Sequence, residues 1–235
     1  AIQMNEYLTL MAPKWTELGY PPINIRSGIH TATVFVGNIG SPDRMKYGVL
    51  GDGVNLASRL EELNKRYKTK IMISINTEKK KKVQNFFLTR PLDLVAVKGK
   101  KTGTAVFEVL GRRTEVTDAI NKLADTSKQG FDYYYGRSFQ EAVDTFTDAG
   151  KQYQALNGIR DAASDLLMNR CKDMLVNPPP DGWNGTEGEC ILFCGFFPAL
   201  RLPCTEFLNN FTQRHRIPSS LPLCSPQPKT FLGCA

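Results

Sequence analysis

The apolar positions of the chain change period twice. From Ala1 to about Leu110, short alternating runs sit between helix-length stripes. From Glu115 to about Val176 helical spacing prevails, and from about Glu187 onward no period persists. In the first region Met4 to Leu18 reads as an amphipathic helix, stopped by Gly19 and the Pro21-Pro22 break. Ile23, Ile25, Ser27 and Ile29 alternate with Asn24, Arg26, Gly28 and His30, the period of a half-buried strand. Val34 to Val36 predicts a second strand, closed by a turn region at Gly37 and Gly40, and Tyr47 to Leu50 a third. Asp52 is placed to cap the next helix, on which Leu56, Leu60, Leu63 and Tyr67 form one stripe. Ile71 to Ile73 predicts a buried strand, and Thr77 to Val83 a short lysine-rich helix. Leu92 to Val97 and Thr104 to Leu110 predict two strands joined by a Gly99–Gly103 turn. This alternation predicts an α/β or α+β sandwich with helices on one face of a mostly antiparallel sheet, and α+β is the class expected here.

The second region predicts paired helices. Phe139, Ala142, Val143 and Phe146 form one stripe, and Ala162, Leu166, Leu167 and Met174 part of another. The preceding Tyr133-Tyr134-Tyr135-Gly136 resembles the start of a tetratricopeptide-type unit. A single unit cannot build a solenoid, so a helical hairpin packed on the preceding domain is expected. Three parts follow: 1–112, 113–186, and an irregular tail over 187–235. The tail is rich in Pro, Cys and Phe, and reads either as disordered or as non-native translated sequence.

Charge and cysteines narrow the picture. The net charge is +7 over 235 residues. Its densest run, Lys79 to Lys82, lacks the interleaved aromatics that stacking on bases requires, so it reads as a solvated helix end and no nucleic-acid partner is expected. A moderate basic excess also suits polyphosphate handling. Cys171 stands apart from Cys190, Cys194, Cys204, Cys224 and Cys234, whose spacings match no zinc pattern. The body reads as cytosolic and reduced. The longest apolar stretch, Ile191 to Leu202, is shorter than the roughly 20 residues a bilayer needs. The chain opens at Ala1, inside a predicted helix, and is expected to be a fragment. Any membrane attachment would come through upstream sequence.

The densest chemistry lies in Tyr47-Gly48-Val49-Leu50-Gly51-Asp52-Gly53-Val54-Asn55-Leu56-Ala57-Ser58-Arg59-Leu60-Glu61. Asn55 and Arg59, four apart, project from one helix face beside the leucine stripe. An amide and a guanidinium near a helix N-terminus suit a polyphosphate or ribose. On the residues alone, an ordinary exposed polar face is the stronger reading. No glycine-rich run ends in Gly-Lys-Ser/Thr, which excludes a P-loop.

Together with Gly28-Ile29-His30-Thr31, Gly37-Asn38-Ile39-Gly40-Ser41 and Arg44-Met45-Lys46-Tyr47, this stretch resembles the catalytic domains of class III adenylyl/guanylyl cyclases, of bacterial and protist type, from Ala1 to about Leu110. Asp161-Ala162-Ala163-Ser164, Arg170-Cys171 and the Pro178-to-Trp183 ending resemble the segment that follows some bacterial members. The resemblance implies a partial ferredoxin-like cyclase sandwich lacking its N-terminal strands, and an activity that turns a nucleoside triphosphate into its 3′,5′-cyclic monophosphate and pyrophosphate. It implies that Asn55 orients the ribose, that Arg59 stabilises charge developing at the α-phosphate, and that Lys98 grips the terminal phosphates, with Lys100 as a second candidate. Gly48 and Val49 fall at substrate-binding positions.

The same resemblance implies two divalent metal ions, Mg2+ or Mn2+, held by aspartates upstream of this chain and none by the chain itself. It implies sites shared between two domains, as a homodimer or a heterodimer of cyclase domains, and a cytoplasmic catalytic region. Gly48 stands where many adenylyl cyclases carry Asp or Thr, so ATP is favoured over GTP only as the commoner substrate. Ala32 stands where glycine is usual. The competing expectation is an inactive cyclase-like domain that pairs with an active one and regulates it.

Overall fold

The computed structural model describes residues 1–41, 43–95, 103–183 and 185. The predicted tail with its five cysteines, and Lys98 and Lys100 in the predicted turn, lie outside the described residues. Residues 1–188 form one compact unit.

The chain begins with helix α1 (Ile2–Glu17), which buries none of its residues and exposes Met4, Tyr7 and Leu10. Strand β1 (Ser27–Ile29) follows, then the β2 (Phe35–Ser41) and β3 (Arg44–Leu50) ribbon, helix α2 (Asp52–Tyr67) and strand β4 (Ile71–Ser74). Short helices α3 (Ile75–Glu78) and α4 (Lys81–Phe86) lead to strands β5 (Phe87–Val95) and β6 (Thr104–Arg112). Three helices close the described part: α5 (Asp118–Tyr135), α6 (Phe139–Asn157) and α7 (Ala162–Val176).

The main sheet has the order β1-β4-β6-β5. Its one parallel pair, β1 with β4, is the pair joined through α2, since parallel neighbours require a crossover connection. The other pairs are antiparallel, in accord with the predicted fold class. The β5–β6 ladder shifts register between Pro91 and Asp93. Proline has no amide hydrogen for the ladder, so a bulge is the natural place for it. The β2–β3 ribbon forms a separate two-stranded sheet.

One core lies between α2 and the sheet: Leu56, Leu60 and Tyr67 pack with Met72, Leu92 and Val106, and Leu63 lies partly buried against them. A second joins the helices, with Phe131, Tyr134, Phe139, Phe146, Leu167 and Cys171. Trp183 packs edge-on against Tyr134, ring centroids 5.1 Å apart.

Several expected elements change. The half-buried strand predicted from Ile23 pairs only over Ser27–Ile29, and Ile23 is exposed. The Gly37–Gly40 region is not a turn, because β2 runs through it to Ser41, paired with Arg44. Asp52 does not cap α2: Gly51 occupies the cap position, and Asp52 is the first helical residue. It contributes a negative charge to the positive end of the helix instead. The helix predicted over 77–83 is interrupted, because Lys80 is extended, while the Thr77 hydroxyl is tied to that of Thr31 at 2.9 Å. The predicted hairpin corresponds to α6 and α7, and α5 precedes it as a third helix.

Candidate functional site

Helix α2 carries the predicted chemistry, and the sheet determines where it sits. Gly28 of β1 lies directly beneath it. A Cβ there would come within 2.3 Å of the Ala57 carbonyl oxygen and the Glu61 amide nitrogen, so only glycine lets the strand and helix approach this closely. The Asn64 amide, fully buried, donates to the Ser27 and Leu60 carbonyl oxygens at 3.1 and 2.9 Å and accepts from the Thr69 hydroxyl at 2.8 Å. Arg26 and Glu61 form an ion pair at 2.8 Å on the outer side of the contact. The chain enters α2 through Gly51, whose φ of +148° is open to glycine and strained for other residues.

From this support the polar face of α2 projects outward. Asn55, in the first turn, is exposed, and Arg59, one turn later, is half-buried. Among the described residues no carboxylate forms an ion pair with Arg59 and no side chain hydrogen-bonds Asn55. Both groups are therefore uncommitted, beside a helix N-terminus whose amides and dipole favour anions. Gly48 and Val49 lie on β3, just before the Gly51 turn, opposite Gly37 and Val36 in the ribbon. The structure thus brings Gly48, Val49, Asn55 and Arg59 onto consecutive elements around one turn, whereas Lys98 is not among the described residues. A groove of about 1090 Å³ lies elsewhere, among Glu6, Leu10, Val109, Tyr153, Leu156 and Ile159.

Among the described residues, no three His, Cys, Asp or Glu side chains gather into a set able to hold a metal ion. These residues do not by themselves fit the pair of divalent ions that the sequence resemblance implies.

Buried charges that hydropathy patterning did not reveal lie behind the helix. Arg90 of β5 donates from Nε to Glu108 of β6 at 2.7 Å, and from both terminal nitrogens to Asp161 at 2.6 and 3.0 Å. Burial opposes its charge, but Glu108 and Asp161 outweigh that and hold the guanidinium protonated more firmly than usual. Burial pushes the Glu108 carboxyl up, more than Arg90 draws it down. Asp161 also caps α7, accepting from the Ala163 amide at 3.3 Å and the Ser164 hydroxyl at 2.6 Å. A second fork runs from Arg170 of α7 to both oxygens of Asp93, at 2.8 and 3.1 Å. Asp93 also accepts the Tyr67 hydroxyl at 2.5 Å. Burial, and then the charge of Asp93, push that hydroxyl well above the usual phenol range. Asp161 and Arg170 belong to the sequence motifs of the helical segment, whereas Arg90 and Asp93 show in the sequence only as charged positions inside a strand otherwise rich in apolar residues.

Comparison with known proteins concerns the first half of the chain. A family profile described as the adenylate and guanylate cyclase catalytic domain matches residues 1–111. Adenylate cyclase 1 of Rhizobium meliloti is 36% identical over 121 residues, which is 51% of this chain and 18% of that protein. The terminal-differentiation-specific adenylate cyclase of Dictyostelium discoideum is 35% identical over 121 residues, 51% of this chain and 6% of its own length. The chain thus spans less than a fifth of each of these relatives. The crystal structure of the adenylyl cyclase CyaB from P. aeruginosa aligns with a TM-score of 0.41 and 30% identity, over 49% of this chain and 58% of that one. On the profile match and these relatives, residues 1–111 belong to the adenylate and guanylate cyclase catalytic-domain family.

Proposed function

We propose that the chain is part of a nucleotidyl cyclase that forms a 3′,5′-cyclic nucleotide and pyrophosphate, with ATP the favoured substrate, and that residues 1–112 supply the transition-state half of a dimeric site. The observation that carries this reading is the pair Asn55 and Arg59, uncommitted on one outward face of a helix whose inner face is locked to the sheet. In the reaction the ribose 3′-oxygen bonds to the α-phosphorus as the bond to pyrophosphate breaks. Asn55 orients the ribose, and Arg59 meets the charge that grows on the α-phosphate oxygens, where a fixed cation lowers the barrier most. Lys98 serves the terminal phosphates. The names of the relatives, all adenylate cyclases, support ATP.

Pairing with a second cyclase domain is supported by the β2–β3 ribbon. Phe35, Val36, Met45, Tyr47, Val49 and Leu50 are all exposed on it, and adjoining apolar side chains of this size mark an association surface. The partner domain would bring the metal-binding aspartates, and helices α5 to α7 form a segment of their own after residues 1–112. The catalytic region is proposed to be cytoplasmic, as the sequence resemblance implies; no helix among the described residues is long and apolar enough to cross a membrane.

Arg59→Ala in the complete protein tests the reading: kcat is expected to fall on the order of 10²- to 10³-fold, with cyclic AMP the principal wild-type product. Unchanged activity would refute it. The 235-residue chain alone is expected to show no turnover, and robust turnover would overturn the half-site assignment. One observation favours a second reading, a regulatory cyclase-like partner: Gly48 offers no side chain to read a base. That reading predicts a complete protein that is silent alone and alters the activity of a second cyclase on mixing.

A further inference from the structure

We propose that helix α7 sets the position of the catalytic helix, with Arg170 acting as a positioning residue through Asp93 and Tyr67. Tyr67 is the last residue of α2, the helix that bears Asn55 and Arg59. Its hydroxyl is held by Asp93 Oδ2 at 2.5 Å. Asp93 is 2% exposed, and its other contacts are the Leu94 amide at 2.8 Å and the two arms of the Arg170 fork. This carboxylate has no access to bulk water. Without Arg170 it stays buried with its cationic partner gone, and its rearrangement alters its grip on Tyr67.

The geometry amplifies small changes. Arg59 lies eight residues before Tyr67, about 12 Å along the helix at 1.5 Å per residue. A tilt of about 5° around Tyr67 therefore moves the Arg59 backbone by about 1 Å, and misplacements of that size cost on the order of 10² in rate. Helix α7 is itself fixed at two points, by Asp161 on Arg90 at its start and by Arg170 on Asp93 nine residues later. The helical segment is thus the back support of α2, a role distinct from binding substrate.

The structural arm of the test does not depend on the proposed reaction. Hydrogen exchange in the 235-residue chain, compared among Tyr67→Phe, Arg170→Gln and the double variant, reads the coupling directly. Each single variant is expected to speed exchange of the α2 amides by roughly tenfold, with α5 and α6 unchanged. The double variant should add little to the larger single effect, because both act on one path, and Arg170→Lys should restore part of the protection. Unchanged α2 exchange in Tyr67→Phe, or full multiplication in the double variant, would overturn the proposal. Tyr67→Phe keeps the test open should Arg170→Gln fail to fold.

The catalytic arm rests on the proposed function. In the complete protein Tyr67→Phe should lower kcat with KM little changed. If α2 loosens and Arg59→Ala abolishes activity while Tyr67→Phe leaves kcat intact, positioning is refuted. If Arg59→Ala has no effect, the cyclase reading fails, and the exchange data still decide the coupling.

Discussion

Replacing Asp161 by alanine removes two contributions that can be separated. Arg90 and Asp161 side chains are 2% and 1% exposed, so their pair is shielded from solvent. Removing one member of a buried pair costs about 3–5 kcal/mol, chiefly because the survivor stays buried without its partner. Here Arg90 keeps Glu108, which points to the lower figure. Loss of the α7 cap adds about 1 kcal/mol, for a total of about 4 kcal/mol out of the roughly 5–15 kcal/mol that holds most domains folded. Urea unfolding followed by far-UV circular dichroism reads this as a drop of about 2 M in midpoint, for a slope near 2 kcal/mol/M. Asp161→Asn keeps a good cap and loses the charge, so its loss is expected near 3 kcal/mol. Asp165 on the same helix pairs with the exposed Arg160 at 3.0 Å, and Asp165→Ala should cost under about 1 kcal/mol. If Asp161→Ala shifts the midpoint no further than Asp165→Ala, the network does not hold α7 as the structure indicates.

Two further outcomes follow from single contacts. Gly28→Ala places a methyl group against the α2 backbone and should destabilise by about 1–3 kcal/mol, seen as a lower melting temperature; an unchanged one would contradict the close approach. Cys171 is buried, and burial pushes its thiol up to about 11 from an ordinary 9.0. Iodoacetamide at pH 8 should spare it in the native chain and modify it in urea, as peptide mapping would show. Between about pH 9 and pH 11 the native thiol keeps a proton that the unfolded chain releases, so this group makes stability fall as pH rises through that window.

The fold was most legible where one period covered a whole element. The Leu56–Leu60–Leu63–Tyr67 stripe faces the core, and Ile71–Ile73 is a buried strand. Legibility failed where tertiary contacts outweighed local signals. Asn64, a polar residue beside the leucine stripe that the hydropathy pattern does not single out, is fully buried because three specific partners satisfy its amide. Gly37 and Gly40 read as a turn, yet ladder pairing with Gly48 and Met45 carries the strand through both. The pairs Arg90–Asp161 and Arg170–Asp93 span 71 and 77 residues. Charges that meet over such distances leave no period, so the sequence marked Asp161 and Arg170 as motif residues without revealing their partners in β5. Of the candidate site, the spacing of Asn55 and Arg59 could be read directly, whereas the close contact at Gly28 that seats their helix could not.

The two guanidinium forks also bear on how this chain can be recombined with its relatives. A chimaera that exchanges residues 113–176 for another helical segment inherits Arg90 and Asp93 from one parent and needs an acid at 161 and a base at 170 from the other. A donor lacking either leaves a charge sealed in the interior, and the hybrid loses stability even if every apolar position matches. Grafts should therefore be chosen by charge at these two positions before overall identity is considered.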